Sequence, residues 1–263
     1  MTGKVHEVYA VKYGENPTGN RGDFYHGLSS RPHDEPLPMD YFVWLIRSAD
    51  HDIVVDAGFT AEVALRRKRT HWNAPSAALE LLGVDCSQVP YLILSHLHYD
   101  HCGDLASFPR ATFIVQEEEM AFWLGGPFLS RPEFRKAIEL EDLHTLVDLN
   151  FNGRIKQIRG DKEIVDGVSV HNVGGHTAGL QVTRVRTEKG MVVLASDASH
   201  LYGNVEDDAP FAVFSELPES YRAYDTINEL ASARDLVIPG HDHEVFNRFD
   251  AVPGLEGIAV RIA

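Results

Sequence analysis

The 263-residue sequence predicts an α/β fold. Three observations carry that expectation. Short apolar runs of strand character recur along the chain and are separated by stretches with helical patterning. One of these runs, Tyr91-Leu92-Ile93-Leu94, is apolar throughout, as a strand buried on both faces should be. Polar residues suited to holding a cation follow directly on several of the strands, at the edge where open α/β sheets place their ligands.

Taken in order, residues 5–13 alternate apolar and polar side chains and run into Gly14, the pattern of a half-buried strand. Residues 14–40, rich in Gly, Pro, Asn, Arg and Asp, read as one long loop, and loops of that length are usually functional or disordered. Residues 41–47 and 51–56 read as two strands, the second stopped by Asp56-Ala57-Gly58. Residues 60–83 read as helix broken around Asn73-Ala74-Pro75, with Ser76 as N-cap and Gly83 as the stop. Beyond the strand at 91–94, residues 111–115 form another strand, and 116–145 are helical with an interruption at Gly125-Gly126-Pro127. Short strands over 155–158, 162–165 and 168–172 are joined by glycine turns. Residues 181–186 and 191–195 pair as a hairpin about Glu188-Lys189-Gly190, followed by a helix over 219–234 and a strand at Leu236-Val237-Ile238. No repeat, low-complexity tract or linker divides the chain, so a single domain over 1–263 is expected.

Composition narrows the function. With 44% hydrophobic and 24% charged residues the chain can bury a large core and needs no staples. Two cysteines, Cys86 and Cys102, are too few for a disulfide framework. Cys102 adjoins His101, and reads as a small buried thiol in preference to a metal neighbour. A net charge of −15 opposes nucleic-acid and anionic-membrane partners. No stretch approaches the roughly 20 apolar residues of a membrane span. The N-terminus Met1-Thr2-Gly3-Lys4-Val5-His6 lacks the apolar run of a signal peptide, so a cytoplasmic protein is expected.

The chemistry concentrates in His96-X-His98-X-Asp100-His101. Imidazole nitrogens and carboxylates are ligands for zinc and its neighbours, and four of them within six residues of a loop suit two adjacent ions better than a solvated turn. Alternate residues on a loop can face one side, so His96 and His98 can share one ion while Asp100 and His101 reach a second. Three further residues follow predicted strands: His176 in Gly174-Gly175-His176-Thr177-Ala178-Gly179, Asp197 after residues 192–196, and His241 after residues 236–240. Glycines beside His176 allow a sharp turn that brings the imidazole inward. Asp56, at the end of its strand, reads either as a partner behind a ligand histidine or as a simple turn residue.

The order His96-X-His98-X-Asp100-His101, His176, Asp197, His241 resembles the metallo-β-lactamase superfamily, over most of the chain. Chain size, the long N-terminal loop, the helical insert after the metal loop and a histidine as last ligand resemble its N-acyl-homoserine-lactone hydrolase branch. The resemblance implies two facing sheets covered by helices, an αβ/βα four-layer sandwich. It implies that His96, His98 and His176 bind one metal, that Asp100, His101 and His241 bind another, and that Asp197 bridges them. Zinc is the expected ion, with iron, manganese or cobalt as alternatives. Two such cations generate hydroxide from a bridging water near neutral pH, and hydroxide attack on a polarised carbonyl would open a small lactone or ester. Asp100 is the candidate to relay a proton to the leaving group.

Lactonases of this family carry a tyrosine three residues after the bridging aspartate, where this sequence has His200. His200 is therefore the candidate donor to the substrate carbonyl, and Tyr202 the alternative if the turn differs. Specificity is expected from Asn20, Arg21, Phe24, Tyr25 and His26 leading into Met39-Asp40-Tyr41, and from Met120, Phe122, Trp123, Phe128 and Phe134 of the insert. His243 reads as a surface or supporting group, and the basic run Arg66-Arg67-Lys68-Arg69 as a solvated helix face. The expected partner is a small lactone or ester, with a homodimer as one expected assembly. Hydrolysis of another ester, cyclic amide or phosphoester would use the same site. A redox or sulfur-handling reading and an RNA-processing reading are weaker, since this chain has no room for a flavin domain and its charge opposes RNA.

Overall fold

The computed structural model describes residues 3–27 and 32–263. Residues 28–31, inside the loop expected over 14–40, and Met1 and Thr2 of the N-terminal segment lie outside the described residues. The chain runs β1 (Glu7–Asn16), α1 (Arg21–Phe24), β2 (Met39–Arg47), β3 (Asp52–Val55), α2 (Ala61–Arg67), β4 (Thr70–His71) and α3 (Pro75–Glu80). It continues through β5 (Tyr91–Ile93), β6 (Thr112–Gln116), α4 (Glu117–Gly125), α5 (Pro132–Arg135), α6 (Leu140–Phe151) and β7 (Ile155–Ile158). The second half holds β8 (Lys162–Val165), β9 (Val168–Asn172), β10 (Gln181–Thr187), β11 (Gly190–Ser196), α7 (Tyr202–Glu206), α8 (Leu217–Leu230), β12 (Val237–Pro239), α9 (Val245–Arg248), β13 (Asp250–Ala251) and β14 (Ala259–Arg261).

Two sheets result. One has the order β13-β14-β1-β2-β3-β5-β6-β7, with β4 also on β1, and the other has the order β12-β11-β10-β9-β8. Strand periodicity explains how they stack. In β2 the side chains of Tyr41, Val43 and Leu45 pack on one face and those of Phe42, Trp44 and Ile46 on the other. A strand apolar on both faces must be covered on both. The Phe42 face meets Val168, Val170, Val192 and Leu194 of the second sheet, forming the core between sheets. The Tyr41 face is covered by the helical side, including Val63, Ala78, Leu79, Met120 and Leu146. The far side of the second sheet, Val182, Val193 and Ala195, is covered by Ala223, Tyr224 and Ile227 of α8. The layers are therefore helix, sheet, sheet, helix, the expected αβ/βα sandwich. Each fully buried Leu, Ile or Phe in them contributes roughly 1.5–3 kcal/mol.

Several boundaries differ from the sequence reading. β1 does not stop at Gly14 but bulges there and pairs through Asn16 with Met39. Ser76 is not an N-cap: Ala74 occupies that position, Pro75 begins α3, and the Ser76 hydroxyl donates to Asp104 at 2.7 Å. The helix read over 60–83 is α2 and α3 separated by β4, with Thr60 capping the first. The helix read over 219–234 starts earlier and stops at Leu230. Helix α7, helix α9 and strands β13 and β14 were not expected. They are short, and tertiary pairing rather than local pattern makes them. The glycine turn between β7 and β8 carries the chain from one sheet to the other, which local pattern cannot reveal. Among the described residues no helix is long and apolar enough to cross a membrane.

One buried acid gives the fold a pH signature. Asp142, in the first turn of α6, is buried with one carboxylate oxygen unpartnered. Burial, reinforced by Glu139 and Glu141 against Arg66 and Arg67, pushes its carboxyl up to about 7. A folded-state pKa above the unfolded value favours the folded state below that value, and the advantage is lost as pH rises through about 7. Asp142→Asn should therefore gain stability over the parent between pH 5 and pH 8, by on the order of 1 kcal/mol in urea unfolding. An equal stability difference at both pH values would remove Asp142 as the cause.

Candidate metal centre

Strand ends assemble the site. β3 and β5 run parallel, as do β11 and β12, so the segments after them leave at a common edge. Asp56 follows β3, the histidine loop follows β5, Asp197 follows β11 and His241 follows β12; His176 lies in the turn after β9. Backbone conformation is specialised here. Asp56 and Ser196 have φ of 63° and 45°, left-handed values that cost about 1–3 kcal/mol for ordinary residues. Gly240 has no room for a side chain, since a Cβ would lie 2.8 Å from the Ser196 carbonyl carbon. That close approach sets Asp197 and His241 side by side. Gly175, at φ 83°, similarly passes within 2.7 Å of the Ser220 nitrogen at its absent Cβ and turns His176 inward.

All seven expected ligand-type residues converge and are buried. Ligand atoms of His96, His98, His176 and Asp197 lie within 4.8 Å of one another, as do those of Asp100, His101 and His241. Asp197 stands between the two sets. Its Oδ2 is 3.2 Å from His176 Nε2 and 3.5 Å from His96 Nε2, and its Oδ1 is 2.9 Å from His241 Nε2 and 3.4 Å from His101 Nε2. Asp100 approaches His101 Nε2 at 3.8 Å and His241 Nε2 at 4.0 Å.

Supporting hydrogen bonds decide which imidazole nitrogen faces inward. His176 Nδ1 meets the Val213 carbonyl at 2.8 Å and His241 Nδ1 meets the Asp40 carbonyl at 2.9 Å. A carbonyl only accepts, so each Nδ1 carries the proton, and in the neutral ring Nε2 is left with a lone pair. His101 Nδ1 meets Asp56 Oδ2 at 2.8 Å. Ser95 donates its hydroxyl to Asp56 Oδ2 and its N–H to Oδ1, so its oxygen can accept from His96 Nδ1 at 3.0 Å. Asp56 is thus the partner behind two histidines rather than a simple turn residue.

The electrostatics suit a cation. Asp56, Asp100 and Asp197 are all buried, and among the described residues none pairs with Lys or Arg. Burial would raise Asp197, but His200, His241, His101 and His96 hold its carboxyl well below the usual range. Burial and the neighbouring imidazoles keep His96 and His98 well below the usual histidine value, hence neutral. At His101 burial is overcome by Asp197, Asp56 and Asp100, which raise it. The Nε2 atoms of His96 and His101 are buried without a hydrogen-bond partner. Inward-facing imidazoles, carboxylates with no lysine or arginine partner and orphan nitrogens form a donor set that a pair of divalent cations would satisfy.

The ligand sets open on a cavity of ≈ 360 Å³ that is also lined by Phe24, Met39, Tyr41, Tyr99, Phe211 and Arg69. His200 lines it too, stacked on Phe211 with ring centroids 3.3 Å apart and its Nε2 2.9 Å from Asp197 Oδ2. Burial lowers His200 to about 3, so it is a neutral donor or acceptor. Tyr202 is a correction: it lines a different cavity, packs in the core between the sheets, and lies under Arg248 at 3.5 Å. Its position on α7, turned by the Asp242 carboxylate accepting its backbone N–H, removes it from the site. Cys102 is a buried thiol whose Sγ faces the Leu97 and His98 carbonyls, and His243 is half-buried beside Glu244.

Of the two segments expected to shape specificity, the first supplies Phe24, Met39 and Tyr41 to this cavity. In the second, Phe122, Phe128 and Phe134 instead line a neighbouring cavity of ≈ 810 Å³ that holds no ligand-type histidine. Trp123 is buried against His98 at 5.4 Å, and Met120 is core. The basic run is also corrected in part, because Arg67 and Arg69 line the ligand cavity rather than a solvated face. Sequence reasoning missed Glu119. Its Oε1 accepts from Leu97 N at 3.0 Å and Trp123 Nε1 at 2.7 Å, and its Oε2 accepts from Gly179 N at 2.8 Å. One buried carboxylate therefore ties the histidine loop to the turn carrying His176. Within Glu117-Glu118-Glu119 it looks like surface charge; the clue is Trp123 four residues on, which puts Glu119 on the helix's buried face.

Comparison with known proteins agrees with this geometry. The model of the family described as Metallo-beta-lactamase superfamily matches residues 38–246. The chain is 32% identical to an N-acyl homoserine lactonase of Bacillus cereus, over 75% of this chain and 73% of that one. It is 29% identical to N-acyl homoserine lactonase AttM of Azorhizobium caulinodans, over 84% and 88% of the two chains. A solved quorum-quenching N-acyl homoserine lactone lactonase superposes with a TM-score of 0.75 at 25% identity, covering 95% of this chain and 98% of that one.

Proposed function

This chain belongs to the metallo-β-lactamase superfamily, and from that premise we propose that it is a metal-dependent hydrolase that opens a small lactone, an acyl-homoserine lactone or a related ring. The observation that carries the reading is the pair of adjacent buried ligand sets with Asp197 between them. His96, His98 and His176 would hold one ion and Asp100, His101 and His241 the other. Zinc is the proposed ion, with iron, manganese or cobalt as alternatives. Two bound divalent cations supply a water of depressed pKa and a Lewis acid for the scissile carbonyl.

The remaining roles belong to the chain. Asp56 and the Val213 and Asp40 carbonyls hold the histidines in the tautomer that leaves a lone pair inward. His200, fixed by its stack on Phe211, presents a neutral imidazole at the cavity wall and is the proposed hydrogen-bond partner of the substrate. Asp100 faces the cavity with no lysine or arginine partner among the described residues, and is the proposed carrier of the proton that the leaving alcohol must gain. Phe24, Met39 and Phe211 give the apolar wall that excludes water from the ring.

The test is turnover of a lactone panel, short to long acyl chains and aromatic rings, by protein loaded with zinc, manganese or iron. Ring opening that chelator abolishes and metal restores is the expected result. Bound metal with no lactone opened would move the substrate to another ester, cyclic amide or phosphoester.

A further inference from the structure

We propose that the wall of this cavity carries a subsite for an anionic group, a carboxylate on the substrate itself, held by Arg69. The inference takes the identity of the cavity as a lactone-opening site from the reading above, but the binding it predicts does not require turnover.

The chain leaves α2 through Lys68 in a left-handed conformation, and Arg69 N returns to the Ala64 carbonyl at 2.9 Å. That turn directs Arg69 away from the exposed face of the helix and into the cavity lining. Its Nη1 donates to Asn16 Oδ1 at 3.1 Å, and its guanidinium lies against the Tyr41 and Tyr99 hydroxyls, which are themselves 3.0 Å apart. Its Nε is buried with no hydrogen-bond partner. Among the described residues no carboxylate pairs with it. The contrast within the same basic run is sharp: Arg66 and Arg67 both bind Glu139 at 2.7 Å. Lys136, which also lines the cavity, binds Glu133 at 2.6 Å.

A half-buried guanidinium held by phenols and an amide keeps its full charge with no counter-ion. A neutral lactone would leave the cation unpaired, whereas a carboxylate in the cavity would match the planar guanidinium in charge and shape. Tyr41 also packs edge-on to His241 at 5.4 Å, so the proposed subsite and the ligand sets share one wall. A substrate that offers its ring carbonyl to the ligand sets and a carboxylate to Arg69 would satisfy both.

The test is equilibrium binding to the zinc-loaded protein. Straight-chain dicarboxylates from succinate to suberate are compared with monocarboxylates of the same length, by calorimetry. With one end on the ligand sets, at least one dicarboxylate should bind roughly tenfold or more tightly than its monocarboxylate partner, because only it reaches Arg69. Arg69→Met should reduce that dicarboxylate to the monocarboxylate level, and Arg69→Lys should retain part of the preference. Equal binding of both series by the parent protein, or a preference that survives in Arg69→Met, overturns the proposal. The parent series alone decides if the variant does not fold. A protein that shows the preference but opens no lactone would overturn the lactone reading and leave this subsite standing.

Discussion

Replacing Asp197 with asparagine should reduce bound metal from two ions per chain to one or none and lower lactone turnover by more than 100-fold. The side chain keeps its shape, so the effect isolates charge and ligation. One oxygen of Asp197 faces each ligand set, at 2.9 Å from His241, 3.4 Å from His101, 3.2 Å from His176 and 3.5 Å from His96. An amide presents an N–H₂ group to one set, and nitrogen in that state cannot ligate. It also removes a buried negative charge that would offset bound cations. Loss of a partner behind a ligand typically costs about 10–100-fold in metal affinity or activity, and loss of a residue that serves both sets should exceed that. Elemental analysis and turnover on the best lactone check both halves. Two retained ions with near-parental turnover would strip Asp197 of the shared role.

Glu119→Ala should destabilise the metal-free protein by about 3 kcal/mol or more, lowering the melting temperature by roughly 5–10 °C. Three buried donors, Leu97 N, Gly179 N and Trp123 Nε1, lose their acceptor together. Each buried donor left unsatisfied costs about 1–3 kcal/mol. The burial of Glu119 raises its carboxyl against these N–H bonds, so the carboxylate itself carries a cost, and the net loss stays below the sum of the three. The same change frees the loop of His96 and His98 from the turn of His176, so metal affinity should fall with stability. Thermal unfolding by circular dichroism after chelation separates the two effects, since bound metal would add its own stabilisation. An unchanged melting temperature would mean that water replaces the carboxylate at no cost.

Residues that share a local motif were legible in the sequence, and residues assembled by long-range packing were not. His96, His98, Asp100 and His101 announce themselves because the loop compresses them into six positions. His176, Asp197 and His241 follow strands whose apolar runs are visible, and the resemblance to a known ligand order joined them. The apolar run of β2 similarly marks a strand covered on both faces. Tyr202 misled because its proximity to Asp197 in sequence says nothing of the direction α7 takes, and Asp242 turns that helix away. Arg69 and Glu119 look like solvated charge in any window of the sequence. Their burial depends on a left-handed turn after α2 and on how α4 lies against two loops. The insert is visibly aromatic in the sequence and is expected to line the substrate pocket, yet Phe122, Phe128 and Phe134 line another cavity, which depends on α4 and α5 packing that periodicity does not encode.

Two ions are proposed to occupy the two ligand sets. Anomalous scattering from a crystal of metal-loaded protein, recorded on either side of the metal's absorption edge, would locate them. Two peaks per chain are expected, one among His96, His98 and His176 and one among Asp100, His101 and His241, with Asp197 between them. A single peak, or two peaks with Asp197 bound to neither, would contradict it.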